Sequence, residues 1–349
     1  MTAHEGVSVN WKSARARAIG LLTVGAVVAL AGCGGSSSST SGGSSGAAAS
    51  SSGGGGGSKT ITIGFAQVGS ESGWRTANTQ SIKAALTKEA GFDLKFADAQ
   101  QKPENQIQAI RSFIAQKVDV IAFSPVVTTG WDSVLEEAKA AKIPVILTDR
   151  AVDVADKTLY KTFIGSDFVQ EGKTAGEYVA KNFGSKPINV VELEGTTGSA
   201  PAIDRKKGFT EAIASNPNVK VVASQTGNFT RSEGKQVMEG LLQSQKQIDV
   251  LFAHNDDMAL GAIEAIEAAG KKPGTDIKIV SIDGVKDGMT ALSQGKINYI
   301  VECNPLLGPD LAGLAKKAVA GEAIDARIVT HDDAFDQAGA TAALPNRKY

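Results

Sequence analysis

From Lys59 onward the sequence alternates short runs rich in Val, Ile and Phe with longer stretches of helical periodicity, and nothing else in the chain limits its fold as much. The runs are Thr60–Ala66, Leu94–Ala97, Val118–Phe123, Val145–Leu147, Val190–Leu193, Val219–Ala223, Val250–Ala253 and Ile279–Ile282. Between them, Glu104–Gln116 places Ile107, Ile110 and Ile114 at helical spacing, and Met258–Ala269 does the same with Leu260, Ile263 and Ile266. Runs so uniformly apolar are expected to be strands buried on both faces. Strand–helix alternation requires right-handed crossovers and parallel sheets. Eight or more strands make either one barrel or two doubly wound sheets, and 349 residues are enough chain for two domains.

The first 58 residues follow a different rule. Met1 to Ala18 carries Lys12, Arg15 and Arg17 against one acid, Glu5, and an apolar run follows from Ile19 to Ala31. Its 13 residues fall short of the ~20 that a helix needs to span a bilayer. A basic start, a short apolar core and small residues at the exit read as a secretory signal peptide. The exit, Leu30-Ala31-Gly32-Cys33, resembles a bacterial lipobox, in which the cysteine is acylated and becomes the mature N-terminus. Each buried CH₂ of an acyl chain contributes roughly 0.8 kcal/mol, so more than one chain makes a durable anchor. Residues 34–58 hold ten Gly, eleven Ser, three Ala and one Thr, with no charge. Such a segment is a flexible coil spanning about 28 Å root-mean-square. The expectation is a leader over residues 1–33 lipidated at Cys33, a tether over 34–58, and a folded body anchored to a membrane outside the cytoplasm.

Composition and motifs exclude several functions. With 36 Lys+Arg against 37 Asp+Glu the chain lacks the clustered positive charge of a nucleic-acid binder. Two Cys build neither a disulfide framework nor a Cys-rich metal site, and with Cys33 acylated Cys303 is an unpaired, packed thiol. The loop after the first strand, Gly64 to Trp74, contains no Gly-x-Gly-x-x-Gly, and no Gly-x-x-x-x-Gly-Lys-Ser/Thr occurs elsewhere. Within residues 59–349 there is no Gly-x-Ser-x-Gly, and His254 is the only His at a strand end, so a nucleophilic triad would depend on it alone. Paired carboxylates are plentiful and read as ordinary solvated charges. His331-Asp332-Asp333, with Asp336, has ligating residue types, but acidic clusters of this sort are commonly exposed, and no calcium loop is present. Neither a metal nor a cofactor is expected, and catalysis is the weaker reading.

The strand ends are more informative. The runs finish at Asp98, Ser124-Pro125, Asp149-Arg150, Glu194-Gly195, His254-Asn255-Asp256-Asp257 and Asp283-Gly284. Open parallel sheets bind ligands at this carboxyl edge. Carboxylates and amides paired with Arg forks suit sugar hydroxyls, which both donate and accept, and aromatic rings suit the C–H faces of a sugar. Asp149, Arg150, Asn255 and Asp283, with Arg205, Trp74 and Phe229 in neighbouring loops, form such a set. Each has a bland alternative: a helix cap for Asp149, a surface ion pair for Arg205, a core position for Phe229.

At these residues the chain resembles the pentose/hexose-binding proteins of bacterial ABC transporters, the periplasmic-binding-protein type I family, and its segments are most like those of the galactofuranose binders. The likeness covers nearly all of residues 59–330. It rests on the segments from Phe65 to Arg75, Ala99 to Gln106, Pro125 to Trp131, Ala202 to Phe209, Phe229 to Arg231, Ala253 to Met258 and Ser281 to Val285, in order and at matching spacing. The resemblance implies an α/β fold of two doubly wound parallel-sheet lobes joined by a three-crossing hinge. One lobe is then 59–164 plus 304–327 and the other 165–303 plus 328–349, with crossings near Ile164-Gly165, Cys303-Asn304 and Arg327-Ile328. It implies ligand contacts from Ser72, Trp74 and Arg75 on the first loop and from the Asp149-Arg150 pair. The second lobe would add Arg205, Phe229, Asn255 and Asp283, with Phe229 as an apolar face. At the hinge, where ribose binders often carry Gln, this chain has Cys303, so the contact is expected from Asn304 or Glu302.

The function implied is a monomeric, lipid-anchored receptor that captures a monosaccharide, galactofuranose or a related pentose or hexose, and delivers it to ABC permease subunits. A sensory receptor signalling to a membrane kinase is the alternative. A sugar-responsive regulator core shares the fold but would carry a DNA-binding domain where the leader and tether stand.

Overall fold

A computed structural model describes residues 59–349; the leader, the tether and Cys33 lie outside the described residues. Chain order runs β1 (Ile61–Gln67), α1 (Gly73–Ala85), β2 (Phe92–Asp98), α2 (Pro103–Ala115), β3 (Val120–Phe123), α3 (Asp132–Ala140), β4 (Val145–Thr148) and β5 (Thr162–Gly165). There follow α4 (Phe168–Asn182), β6 (Ile188–Glu194), α5 (Ala200–Ile213), β7 (Val219–Thr226), α6 (Arg231–Ser244), β8 (Val250–Ala253), α7 (Asp256–Ala268) and β9 (Lys278–Asp283). The last elements are α8 (Lys286–Ser293), β10 (Tyr299–Glu302), α9 (Gly308–Ala320), β11 (Arg327–Val329), β12 (Ala334–Phe335) and α10 (Gln337–Ala343).

The strands form two six-stranded sheets, β11-β5-β4-β3-β1-β2 and β12-β10-β9-β8-β6-β7. The barrel alternative is thereby excluded. All pairings are parallel except β10 with β12, where the chain returns along the sheet edge. Each sheet is covered on both faces. Ile82 of α1 and Leu311 and Leu314 of α9 pack on one face of the first sheet, with Ile110, Phe113, Val134 and Leu135 of α2 and α3 on the other. In the second sheet, Phe209 stacks on Phe252 at 4.1 Å under α4 and α5, while Met238, Met258 and Met289 line the opposite face.

The eight expected strands are all present. Two depart from burial on both faces: β7 leaves Val221 and Val222 exposed at its sheet edge, and β2 is half-buried at the other. An edge strand loses one neighbour, so apolar residues alone do not separate it from a central one. β5, β10, β11 and β12 are short and mixed and carry no periodic signal.

The chain passes between sheets after β5, after β10 and again after β11. Ile328 pairs with Ile164 and Val329 with Gly165, so both residues lie in the first sheet. The third crossing therefore follows Val329, not Arg327, because three residues of backbone pairing carry the chain past the expected break.

Helix caps bring polar side chains to the sheets' carboxyl edges. Ser72 caps α1 by accepting from Arg75 N at 3.1 Å, and Asn255 caps α7 by accepting from Met258 N at 3.0 Å. The chain chemistry that starts each helix thus also supplies groups to the cleft. Phe252→Ala removes a fully buried ring at the centre of the second sheet. Urea unfolding is expected to show a loss of about 3–5 kcal/mol.

Candidate functional site

The carboxyl edges of the two sheets meet around a small cleft. The first edge lines it with Glu71, Ser72, Trp74, Arg75, Asp149 and Arg150; the second with Pro201, Arg205, Phe229, Asn255 and Asp283; Cys303 comes from the second crossing.

Arg75 organises the first edge. Placed in the first turn of α1, it donates through Nη2 to Asp149 Oδ2 at 2.7 Å and through Nε to Glu71 Oε1 at 3.0 Å. Its Nη1 reaches Gln67 and Ser124, and Ser124 Oγ also donates to Asp149 at 2.8 Å. Asp149 has φ of 61°, a region that costs a non-glycine residue free energy and is kept only where surrounding contacts fix it. Here the Arg75 and Ser124 bonds and the Asp149 N–H bond to Ile164 O do so. Arg150 donates to Val126 O at 3.2 Å and lies 3.5 Å from Glu71. Burial, then repulsion from Arg75, lowers its pKa to about 10.

The second edge has its own centre in Arg205. Its Nε donates to Glu171 at 2.7 Å and its Nη1 to His254 O at 2.6 Å, with Asp283 at 3.8 Å from Nη2. Gly172 makes this possible: a Cβ there would collide with the backbone carbonyl of Arg205, so α4 and α5 approach closely only because the side chain is absent. Glu171, the preceding residue, is thereby brought onto the guanidinium. Burial pushes the Glu171 carboxyl up to about 7 against the pull of Arg205, and raises Asp283 well above the ordinary range.

Phe229 stands between two guanidinium groups, Arg150 at 5.3 Å and Arg205 at 5.9 Å from its ring centre. Trp74 donates Nε1–H to Cys303 O at 2.6 Å, tying α1 to the hinge. Two bonds span the cleft beside the site: Gly73 N to Asp257 at 2.7 Å and Thr128 N to Gly198 O at 2.9 Å. The two lobes are closed on each other.

Three buried polar atoms of this region have no protein partner: Glu71 Oε2, Arg150 Nε and Glu171 Oε1. Buried polar groups are almost always paired; Glu71 and Arg150 line the cleft, so the acceptor and the donor they leave open mark a place for a ligand that both donates and accepts, whereas Glu171 is not among the lining residues. His254 is fully buried behind the site, bonded to Glu192 at 3.0 Å, and touches no nucleophile in the cleft.

Nine of the ten residues expected to hold ligand therefore come together. Asn304 does not: its Oδ1 accepts from Leu306 N and its N–H donates to Asp332, so it shapes its own turn while Cys303 faces the cleft. Glu302 is also turned away, bonded to Arg347 and Tyr349. Among the carboxylates read as solvated, Glu171, Glu192 and Asp256 are buried. Sequence reading also missed Glu71, four residues before Arg75 and thus one helical turn from it, and Glu171, which lies in no strand-end loop.

A description of the periplasmic binding protein domain matches residues 63–323. The chain belongs to the periplasmic binding protein family. It is 54% identical over 260 residues to the galactofuranose-binding protein YtfQ of Escherichia coli (strain K12), covering 73% of this chain and 81% of that one. A structure from Mycobacterium smegmatis in complex with β-D-fucofuranose is 69% identical with a TM-score of 0.81, covering 83% of this chain and 95% of its own. The periplasmic binding protein of the arabinose ABC transporter of Shewanella sp. ANA-3, bound to α- and β-L-arabinofuranose, is 50% identical with a TM-score of 0.79. The two structures cover 83% and 82% of this chain, respectively; the Shewanella match spans 96% of its own chain. As in other members of the family, the fold is two doubly wound α/β lobes.

The buried Glu171 gives this binding protein a pH signature. Its folded pKa of about 7 exceeds the ordinary value of 4.5, so the folded chain binds this proton more tightly than the unfolded one. Between those values the group's contribution to stability falls as pH rises. Urea midpoints measured from about pH 5 to 7 are expected to decline less in Glu171→Gln than in the wild type.

Proposed function

We propose that this binding protein captures one monosaccharide in furanose form, galactofuranose or a related pentose or hexose, between its lobes and delivers it to an ABC importer. The observation that carries the reading is the pair of open buried polar atoms in the small cleft, Glu71 Oε2 and Arg150 Nε, beside Trp74 and Phe229. Hydroxyl groups of a sugar supply both donors and acceptors to such atoms, and a furanose fits the ligands named for the relatives from Mycobacterium and Shewanella. Ser72, Trp74, Arg75, Asp149 and Arg150 form the first half-site, and Arg205, Phe229, Asn255 and Asp283 the second, with Cys303 in place of Asn304 at the hinge.

A ligand touched by both lobes binds the closed form more tightly than the open one, so capture and closure are one equilibrium. The closed monomer is what a permease would meet. Anchoring at Cys33, with residues 34–58 as tether, keeps the body outside the cytoplasm and raises its local concentration at that permease. The lobes divide, in this reading, at the three crossings, with the third placed after Val329.

Calorimetry of residues 59–349 against D-galactose, D-fucose, L-arabinose, D-ribose, D-fructose and D-glucose tests the reading. Heat is expected with the sugars that populate furanose rings of the galactose and arabinose series; no heat with any of them overturns it. Asp149→Ala and Arg205→Ala each leave a buried charge unpaired in the site, and each is expected to weaken binding at least about tenfold with the fold retained. Expressed from the full chain in a bacterial host, Cys33→Ser is expected to move the protein from the membrane fraction to the soluble extracytoplasmic one. Retention in membranes would sink the anchor.

A further inference from the structure

Asp283 reaches the cleft from an unusual backbone. Its φ is 123°, and Gly284 follows at 79°. A non-glycine residue in that region is strained and is held there by its surroundings. Three contacts hold this one. Asp283 O accepts from Cys303 N at 3.0 Å, and Gly284 N and Val285 N both donate to Asp256 Oδ2, at 2.8 and 2.9 Å. The third comes from far along the chain: Arg347 Nε donates to Gly284 O at 2.5 Å.

Arg347 is itself fixed. Its Nη1 donates to Glu302 Oε1 at 2.6 Å, and Tyr349 Oη donates to the same oxygen at 2.5 Å. The guanidinium lies over the Tyr349 ring at 4.1 Å and the Phe335 ring at 5.4 Å. A Cβ on Gly284 would run into Arg347 Nη2, so the loop and the guanidinium are fitted to each other. Glu302 is the last residue of β10, paired in register with Asp283 and next to Cys303 at the second crossing. Its other oxygen accepts from Asp333 N at 2.9 Å, and its N–H donates to Asp333 O at 2.8 Å, which ties in the third crossing.

We propose that Arg347, with Tyr349 and Glu302, is a positioning clasp for the ligand site. Arg347 touches no ligand. It fixes the Gly284–Val285 peptide just after Asp283 so that the Asp283 carboxylate faces the cleft, and through Glu302 it joins that peptide to two of the three hinge crossings. The inference rests on the sugar-binding reading, and it assigns a role in binding to Arg347 and Tyr349, more than 60 positions away from Asp283 in sequence.

A mutant cycle tests it, with L-arabinose as the probe and residues 59–349 as the protein. Arg347→Ala is expected to weaken L-arabinose binding about tenfold, mostly through faster release, since one charged donor to the loop is lost. In an Asp283→Asn background the same change is expected to cost less than about twofold, because the group it positions is already disabled. Equal losses in the two backgrounds would mean that Arg347 serves stability alone, and no loss in either would mean that it serves nothing at this site; both outcomes overturn the clasp. If Arg347→Ala does not fold, Tyr349→Phe, which deletes only the hydroxyl on Glu302, is run through the same cycle with an expected loss of about threefold. Wild-type protein that ignores L-arabinose while binding D-galactose or D-fucose moves the cycle to that sugar. Wild-type protein that binds none of the panel refutes the sugar reading and the clasp with it, whereas normal wild-type binding with an additive cycle refutes the clasp only.

Discussion

Arg75, Arg150 and Arg205 are all buried around one small cleft, and guanidinium groups cannot be left there without partners. Taking a charge out of water costs several kcal/mol unless carboxylates and further hydrogen bonds replace the lost solvent. Glu71 and Asp149 answer Arg75, Glu171 answers Arg205, and Arg150 sits at looser distances from the acids that Arg75 already occupies. Much of the local structure follows from that requirement. Asp149 accepts a strained backbone, α4 and α5 meet at a glycine, and Gln67 and Ser124 spend their side chains on Arg75.

These pairings lie within lobes rather than between them. Glu71, Arg75, Ser124, Asp149 and Arg150 belong to the first edge, and Glu171, Arg205 and Asp283 to the second. Each half-site can therefore be assembled before the cleft closes, and the direct bonds across it are few. Closure then needs little rearrangement of charge, and binding energy is not consumed in ordering side chains that are already fixed. The atoms left open are those for which neither lobe has a partner, which is where a ligand would add the most.

How far this was legible in the sequence depends on where each residue's partner lies. Strands such as β8 and β9 announced themselves because their apolar runs are local, and Asp149 and Asp283 because they end such runs. β5, β10 and β11 are three or four residues long, and what makes them strands is pairing with neighbours distant in sequence, as Ile328 pairs with Ile164. Glu171 was invisible for the same reason: on α4 it looks like any exposed helix acid, and only the glycine contact between two helices reveals that it meets Arg205. Asn304 shows the opposite error. An amide beside the hinge has the right chemistry for a sugar, but a local turn, closed by Leu306 N, takes it first.

The two lobes repeat one device with one difference. In each, an arginine on the helix after the first strand of the sheet's winding, Arg75 on α1 and Arg205 on α5, meets an aspartate at the end of the fourth strand, Asp149 or Asp283. The first pair is closed at 2.7 Å, with Ser124 also bonded to the acid, whereas the second stands at 3.8 Å because Glu171 from α4 has taken the nearer place on the guanidinium. Asp149 is thus committed to the protein and Asp283 is not. A carboxylate left free in a dry cleft must be aimed by its backbone rather than by its side-chain partner. That explains why the main chain from Asp283 to Val285, unlike its counterpart, is gripped from Asp256, Cys303 and Arg347 at once: the lobe that keeps its acid available for a ligand fixes the main chain instead.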